Sequence, residues 1–233
     1  MSAATLQRRC FKAFDFIFQT MKTESFSESN ESKTPDLASR IHDREAGPGR
    51  LLTLQTSVDN IVSWRGSFLA YPDLAAGDDL LQKLTVSLLD KGTEQRDRFE
   101  VARVLEDCGA KLNLSSDGLY VDVSGRALVE DLPRVMDVLA EMLQSPSFDE
   151  TEFEKARAQA VAALTRRLFG AGHPNFSEDP EDALRRLQQF SVDDVRAYHD
   201  AHFGATEWTF AVVGDLEHDR VESVVADTFE GWT

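Results

Sequence analysis

The chain has 233 residues, long enough to bury a substantial core, and its 41 acidic against 25 basic residues leave a formal charge of −16. That charge repels polyphosphate and anionic lipid, which argues against nucleic acid or a membrane surface as a partner. Two cysteines, Cys10 and Cys108, are too few for a disulfide framework and too distant in sequence for a metal-ligand pair, so both read as free thiols in a reducing, cytoplasmic compartment.

In chain order, "RRCFKAFDFIF" sets arginines ahead of aromatics, but Lys12 and Asp15 interrupt the apolar part and no small-residue cleavage site follows, which argues against a signal peptide. No run reaches the eighteen or so apolar residues that a membrane span needs. Residues 22–49 are rich in Ser, Glu, Asp and turn formers, so the expected division is a flexible leader over 1–49 and one folded domain over 50–233. "LLTLQTS" and "NIVSWRGSFLAY" predict two strands. Gly77 to Thr93 predicts a single amphipathic helix, with Leu80, Leu81, Leu84, Leu88 and Leu89 as its buried stripe and Gly92 at its C-terminal cap.

"RDRFEVARVLEDCGA" predicts a second helix with Phe99, Ala102, Val104, Leu105 and Cys108 inward, ended by Gly109. "KLNLSS" and "GLYVDVSGRA" flank Asp117-Gly118, the signature of an antiparallel hairpin. A helix from Asp131 tolerates Pro133 in its first turn and stops at Ser145-Pro146. Asp149 and Glu152 have the spacing of a capping box for a helix running toward Leu168, and Ser191 with Asp194 repeats that spacing before "VDDVRAYHDAHF". Asp179-Pro180 opens a short helix between them, "EWTFAVVGD" predicts a buried strand, and a final helix closes the chain. Strand pairs followed by helix pairs point to an α+β fold: a largely antiparallel sheet with helices packed on one face.

Several phrases in this order, "LLDKGT", "FEVARVLEDCGAKLNLSSDG", "SVDDVRAYHDAHFG", "FAVVGDL" and "FEGW", resemble one half-unit of the insulinase/pitrilysin-type zinc metallopeptidases, which include the mitochondrial processing peptidases. The resemblance implies a half-unit fold that closes with a second half around an extended peptide. It also implies zinc, held by an HxxEH motif on the helix before the Lys-Gly-Thr phrase. Counting back from Gly92-Thr93 puts Lys83, Val86 and Ser87 at those three positions. A protonated ammonium, a valine and a lone serine are no zinc site, and Ala160, Ala162 and Ala163 stand in the neighbourhood of the family's third, glutamate ligand. The expectation is therefore a catalytically silent half-unit without a cofactor of its own. Its partner would be a second peptidase-like half, either another copy or a separately encoded chain. The alternatives are a working zinc peptidase whose partner supplies the metal site and a purely structural core subunit.

Other side chains have plainer explanations. His199 and His202 end a helix, where imidazole suits the negative end, although a metal site with Asp200 or His218 is the sharper alternative. Lys83 and Ser87 read as a wet helix face rather than a serine-lysine hydrolase pair. "GAGHPNF" is a turn, not a phosphate loop. By resemblance, Leu112, Asn113 and Leu114 lie on an edge strand that accepts extended peptide through main-chain pairing, an ability that does not depend on zinc ligands; the plainer expectation is an edge shielded by a partner or a loop.

Overall fold

The computed structural model describes residues 37–46, 49–70, 78–169, 180–204 and 208–232. Among these, six strands form one sheet: β1 (His42–Ala46), β2 (Gly49–Gln55), β3 (Ile61–Leu69), β4 (Lys111–Ser116), β5 (Tyr120–Leu128) and β6 (Trp208–Gly214), in the order β1-β2-β6-β3-β5-β4. Only β2 and β6 run parallel; the other pairs are antiparallel. Seven α-helices accompany them: α1 (Asp78–Val86), α2 (Arg98–Asp107), α3 (Leu132–Gln144), α4 (Glu150–Phe169), α5 (Pro180–Gln189), α6 (Val192–His202) and α7 (His218–Phe229). The fold is the α+β arrangement that the order of strand and helix pairs implies.

Side-chain alternation decides which face carries the core. Along β3 every second residue is buried, with Val62, Trp64 and Phe68 directed into the main cluster. Val121 and Val123 of β5 and Phe210 and Val212 of β6 join them, and helix residues such as Leu84, Met136, Leu139 and Val195 close the layer. Trp64 is in register with Gly125 of β5, where a Cβ would stand 2.3 Å from its indole ring, so a glycine is what admits the large ring. On the other face, Leu52 and Ala211 form a small second cluster with Ile41.

Three elements depart from the sequence reading. Ordered structure precedes Arg50: Leu37–Arg40 form a 3-10 turn, and β1 pairs with β2 from His42↔Thr53 to Ala46↔Gly49. "HDREA" has no apolar period, and main-chain pairing, which sequence does not display, holds it in the sheet. The helix expected over Gly77–Thr93 ends as α1 at Val86, and a separate 3-10 turn, Leu89–Lys91, keeps Leu88 and Leu89 buried. Phe99 is not inward but 71% exposed, and Ala102 is exposed too; Val101 and Cys108 carry the buried stripe of α2. The Arg98 guanidinium covers the Phe99 ring at 5.0 Å.

β1 is fastened to α7 by an imidazole pair. The rings of His42 and His218 stack at 3.6 Å and 9°, Thr53 Oγ1 lies 2.6 Å from His218 Nδ1, and Arg44 faces Glu222 at 3.9 Å. Burial, then the charge of His42, hold His218 below the usual imidazole range, against the pull of Asp219. Burial also lowers His199, against its bond to the Leu143 carbonyl. The unfolded chain takes up these protons near pH 6.5, the folded one only at lower pH. Stability from these groups is thus complete above about pH 6.5 and declines as pH falls through the window down to the folded values. Urea midpoints are expected to drop between pH 7.5 and 5.5, and His42→Gln to flatten that drop; a pH-independent midpoint would show the pair to be inert.

Candidate functional site

α1, the Leu89–Lys91 turn, α2 and α4 surround a cavity of about 680 Å³. Lys83 and Ser87 both line it, Val86 does not, and Ala160 and Ala163 of α4 form part of its wall, whereas Ala162 does not. Lys83 Nζ donates to Asp79 Oδ2 at 2.9 Å, one turn back along α1. Ser87 Oγ donates to the Leu84 carbonyl at 2.7 Å, and Val86 is buried in the main core.

Side chains from two other helices complete the cavity. Arg98 Nη1 donates to both oxygens of Glu152, at 2.9 and 3.0 Å, and Lys155 Nζ donates to Glu152 Oε1 at 2.9 Å. These bonds, Lys155 first and Arg98 second, hold the Glu152 carboxyl below the usual range. The expected capping box at α4 is therefore half made. Asp149 Oδ1 accepts from the amides of Thr151 and Glu152, but the Glu152 carboxylate turns to the cations instead of back to the helix end. At α6 the box is complete between Ser191 and Asp194. No sequence signal brought Arg98, Lys155 and Glu152 together with Lys83, because they meet only through the packing of α2 and α4 beside α1.

Ser87 and Lys91 also line a second groove, of about 350 Å³, with Val86 and with Leu112, Asn113 and Leu114 of β4. β4 is the last strand of the sheet. Ala70 N donates to Leu119 O across β3–β5, and Asp117 N to Tyr120 O across β4–β5. Antiparallel alternation then gives odd-numbered residues of β5 to β3 and even-numbered ones to β4. With Asn113 opposite Ser124, its main chain faces β5, while those of Leu112 and Leu114 face the open edge.

The sequence profile described as insulinase (peptidase family M16) matches residues 84–167, and that of the peptidase M16 inactive domain matches residues 189–233. The chain belongs to the insulinase peptidase family. Mitochondrial cytochrome b-c1 complex subunit 1 of Rattus norvegicus is 26% identical over 155 residues, 60% of this chain and 32% of that protein. Mitochondrial-processing peptidase subunit beta of Bos taurus is 31% identical over 146 residues, 56% of this chain and 29% of that one. The peptidase M16 inactive domain from Pseudomonas fluorescens shares the fold with a TM-score of 0.69 at 17% identity, covering 81% of this chain and 50% of its own. This insulinase-family chain thus spans about a third of the length of the curated relatives it matches and half of that structure.

Zinc, which the family implies, does not fit the side chains that stand here. Lys83 offers a paired ammonium without a lone pair, Val86 offers hydrocarbon, and the Ser87 hydroxyl is turned onto its own helix. Among the described residues no group of three or more His, Cys, Asp or Glu is placed to hold a metal ion. His199 is buried between Phe148 and Phe203, with Nε2 donating to the Leu143 carbonyl, and His218 stacks on His42, so the sharper reading of a joint metal site does not apply. "GAGHPNF" lies outside the described residues, as does Cys10; Cys108 is buried and free.

Proposed function

We propose that this chain is a catalytically silent half-unit of an insulinase-family assembly: it pairs with a second peptidase-like half and holds extended peptide along β4 without cleaving it. The observation that carries the reading is the pairing of a non-ligand set, Lys83, Val86 and Ser87, with an open strand edge at Leu112 and Leu114 beside the same helix. Strand addition needs main-chain donors and acceptors, and those do not depend on the zinc ligands. The 25–26% identity to cytochrome b-c1 complex subunit 1 from several mammals favours a second reading, a structural core subunit that holds no peptide.

Purified protein, dialysed and measured by metal analysis, is expected to carry well under one zinc per chain and to leave unfolded peptide intact. Chelator-sensitive cleavage by the unmodified chain would overturn the silent reading. A pair of proline variants separates peptide holding from the structural alternative. Leu114→Pro removes a donor that faces the open edge and is expected to weaken binding of an extended, labelled peptide at least tenfold, with a small loss of thermal stability. Asn113→Pro instead removes a bond to β5, and is expected to lower the melting temperature more. If neither the parent chain nor Asn113→Pro binds extended peptide at any concentration tested, the structural reading stands in its place.

A further inference from the structure

The cavity beside α1 is positively lined in a chain whose formal charge is −16: Lys83, Lys91, Arg98 and Lys155 face it against the single carboxylate of Glu152. Its remaining wall is apolar, with Leu80, Leu84, Ala160 and Leu187 among the lining side chains. About 680 Å³ lies within the roughly 300–1,000 Å³ range of ligand clefts. Where the family resemblance implies a metal cation, fixed protein cations stand instead, so the charge that the space presents to a ligand keeps its sign.

We propose that this cavity seats an acidic side chain of the peptide held along β4, giving the half-unit a preference for acidic segments; the proposal rests on the peptide-holding reading above. The two spaces adjoin, because Ser87 and Lys91 line both the cavity and the β4 groove. Glu152 shows the chemistry at work. It is a carboxylate against the same wall, gripped by Arg98 and Lys155 and left 12% exposed. Arg98 commits only Nη1 to it, and a guanidinium has five N–H donors. Lys83 and Lys91 are paired with Asp79 and Asp90, each at 2.9 Å, in solvent-exposed contacts of the kind worth little, so they exchange readily for a carboxylate arriving in a less hydrated space.

The test uses the full chain and four labelled ten-residue, β-prone peptides of one framework. Three have amidated C-termini and a central Gln, Glu or Lys; the fourth has the central Gln and a free C-terminus. Fluorescence anisotropy is expected to show the Glu peptide binding about tenfold more tightly than the amidated Gln peptide, and the Lys peptide more weakly. Lys83→Met combined with Lys155→Met changes side chains more than half exposed, and should erase the Glu-over-Gln preference by bringing the Glu affinity down to that of the Gln peptide. Lys91→Met should reduce the same preference. Equal affinity for the Glu and Gln peptides would sink this proposal and leave the peptide-holding reading intact; no binding of any of the four would remove that reading and the proposal with it. A gain confined to the free C-terminus would overturn the seat for an acidic side chain.

Discussion

Trp64→Ala is expected to destabilise the fold by about 3–5 kcal/mol, the range for deleting a large aromatic from a close-packed core. Trp64 has no exposed surface, pairs in register with Gly125 on one side and Val212 on the other, and belongs to the cluster that joins the sheet to its helices. The glycine beneath the indole has no side chain with which to refill the space. Trp64→Phe is expected to cost much less, because it keeps a ring there and removes an indole N–H that is buried without a hydrogen-bond partner. Urea unfolding of the three proteins decides this, and similar midpoints for Ala and Phe would show that the strand relaxes around the loss.

Thr93→Val is expected to cost about 2–4 kcal/mol although the two side chains have nearly the same shape. The Thr93 hydroxyl donates to Glu141 Oε2 at 3.1 Å and accepts from the amides of Gln95 and Arg96 at 3.2 and 3.0 Å. Arg96 also reaches Glu141, and Glu94 N donates to the Ser145 carbonyl, so one buried hydroxyl ties the Leu89–Lys91 turn and the start of α2 to the end of α3. Gly92, at φ +136°, makes the bend before it, with Ser147 Oγ 3.0 Å from where a Cβ would lie. Valine leaves two amides without their partner and takes one of the bonds from the Glu141 carboxylate. Faster amide exchange at Gln95 and Arg96, with a lowered urea midpoint, is the expected result; unchanged protection there would mean that the loop holds its shape by backbone contacts alone.

Much of this fold is legible in the sequence because its signals are local. Asp117-Gly118 announces the β4–β5 hairpin, Pro133 marks the first turn of α3, and Ser191 with Asp194 caps α6. The failures share a cause. The leucine stripe through Leu84, Leu88 and Leu89 is satisfied equally by a continuous helix and by α1 followed by a 3-10 turn, so periodicity could not detect the break after Val86. Phe99 fits an apolar count, yet it sits in the first turn of α2 under Arg98, off the face that packs on Val138 and Met142. At the candidate site, the Gly92-Thr93 phrase locates Lys83, Val86 and Ser87 by counting alone. The cationic wall depends on Arg98 and Lys155 arriving from helices that are distant in sequence, and no motif encodes that meeting. The outward direction of the Leu112 and Leu114 main chain is likewise a matter of register, which a strand prediction leaves open.

Among the described residues, the two borders of the sheet differ in a way that constrains any self-association. β1 carries His42, Asp43, Arg44 and Glu45, all exposed, and Asp43 is held ionised by Arg50 of β2, so this border is studded with charge of both signs. Such a border resists the docking of another strand. β4 offers exposed Asn113 and Ser115 alternating with partly buried Leu112, Leu114 and Ser116, with one charge, at Lys111. A copy that pairs through β4 must use β4 of its neighbour, which makes a two-fold, self-complementary contact. Each molecule then has its receptive border consumed and only its charged border left over, so growth stops at two subunits instead of running on into a fibre.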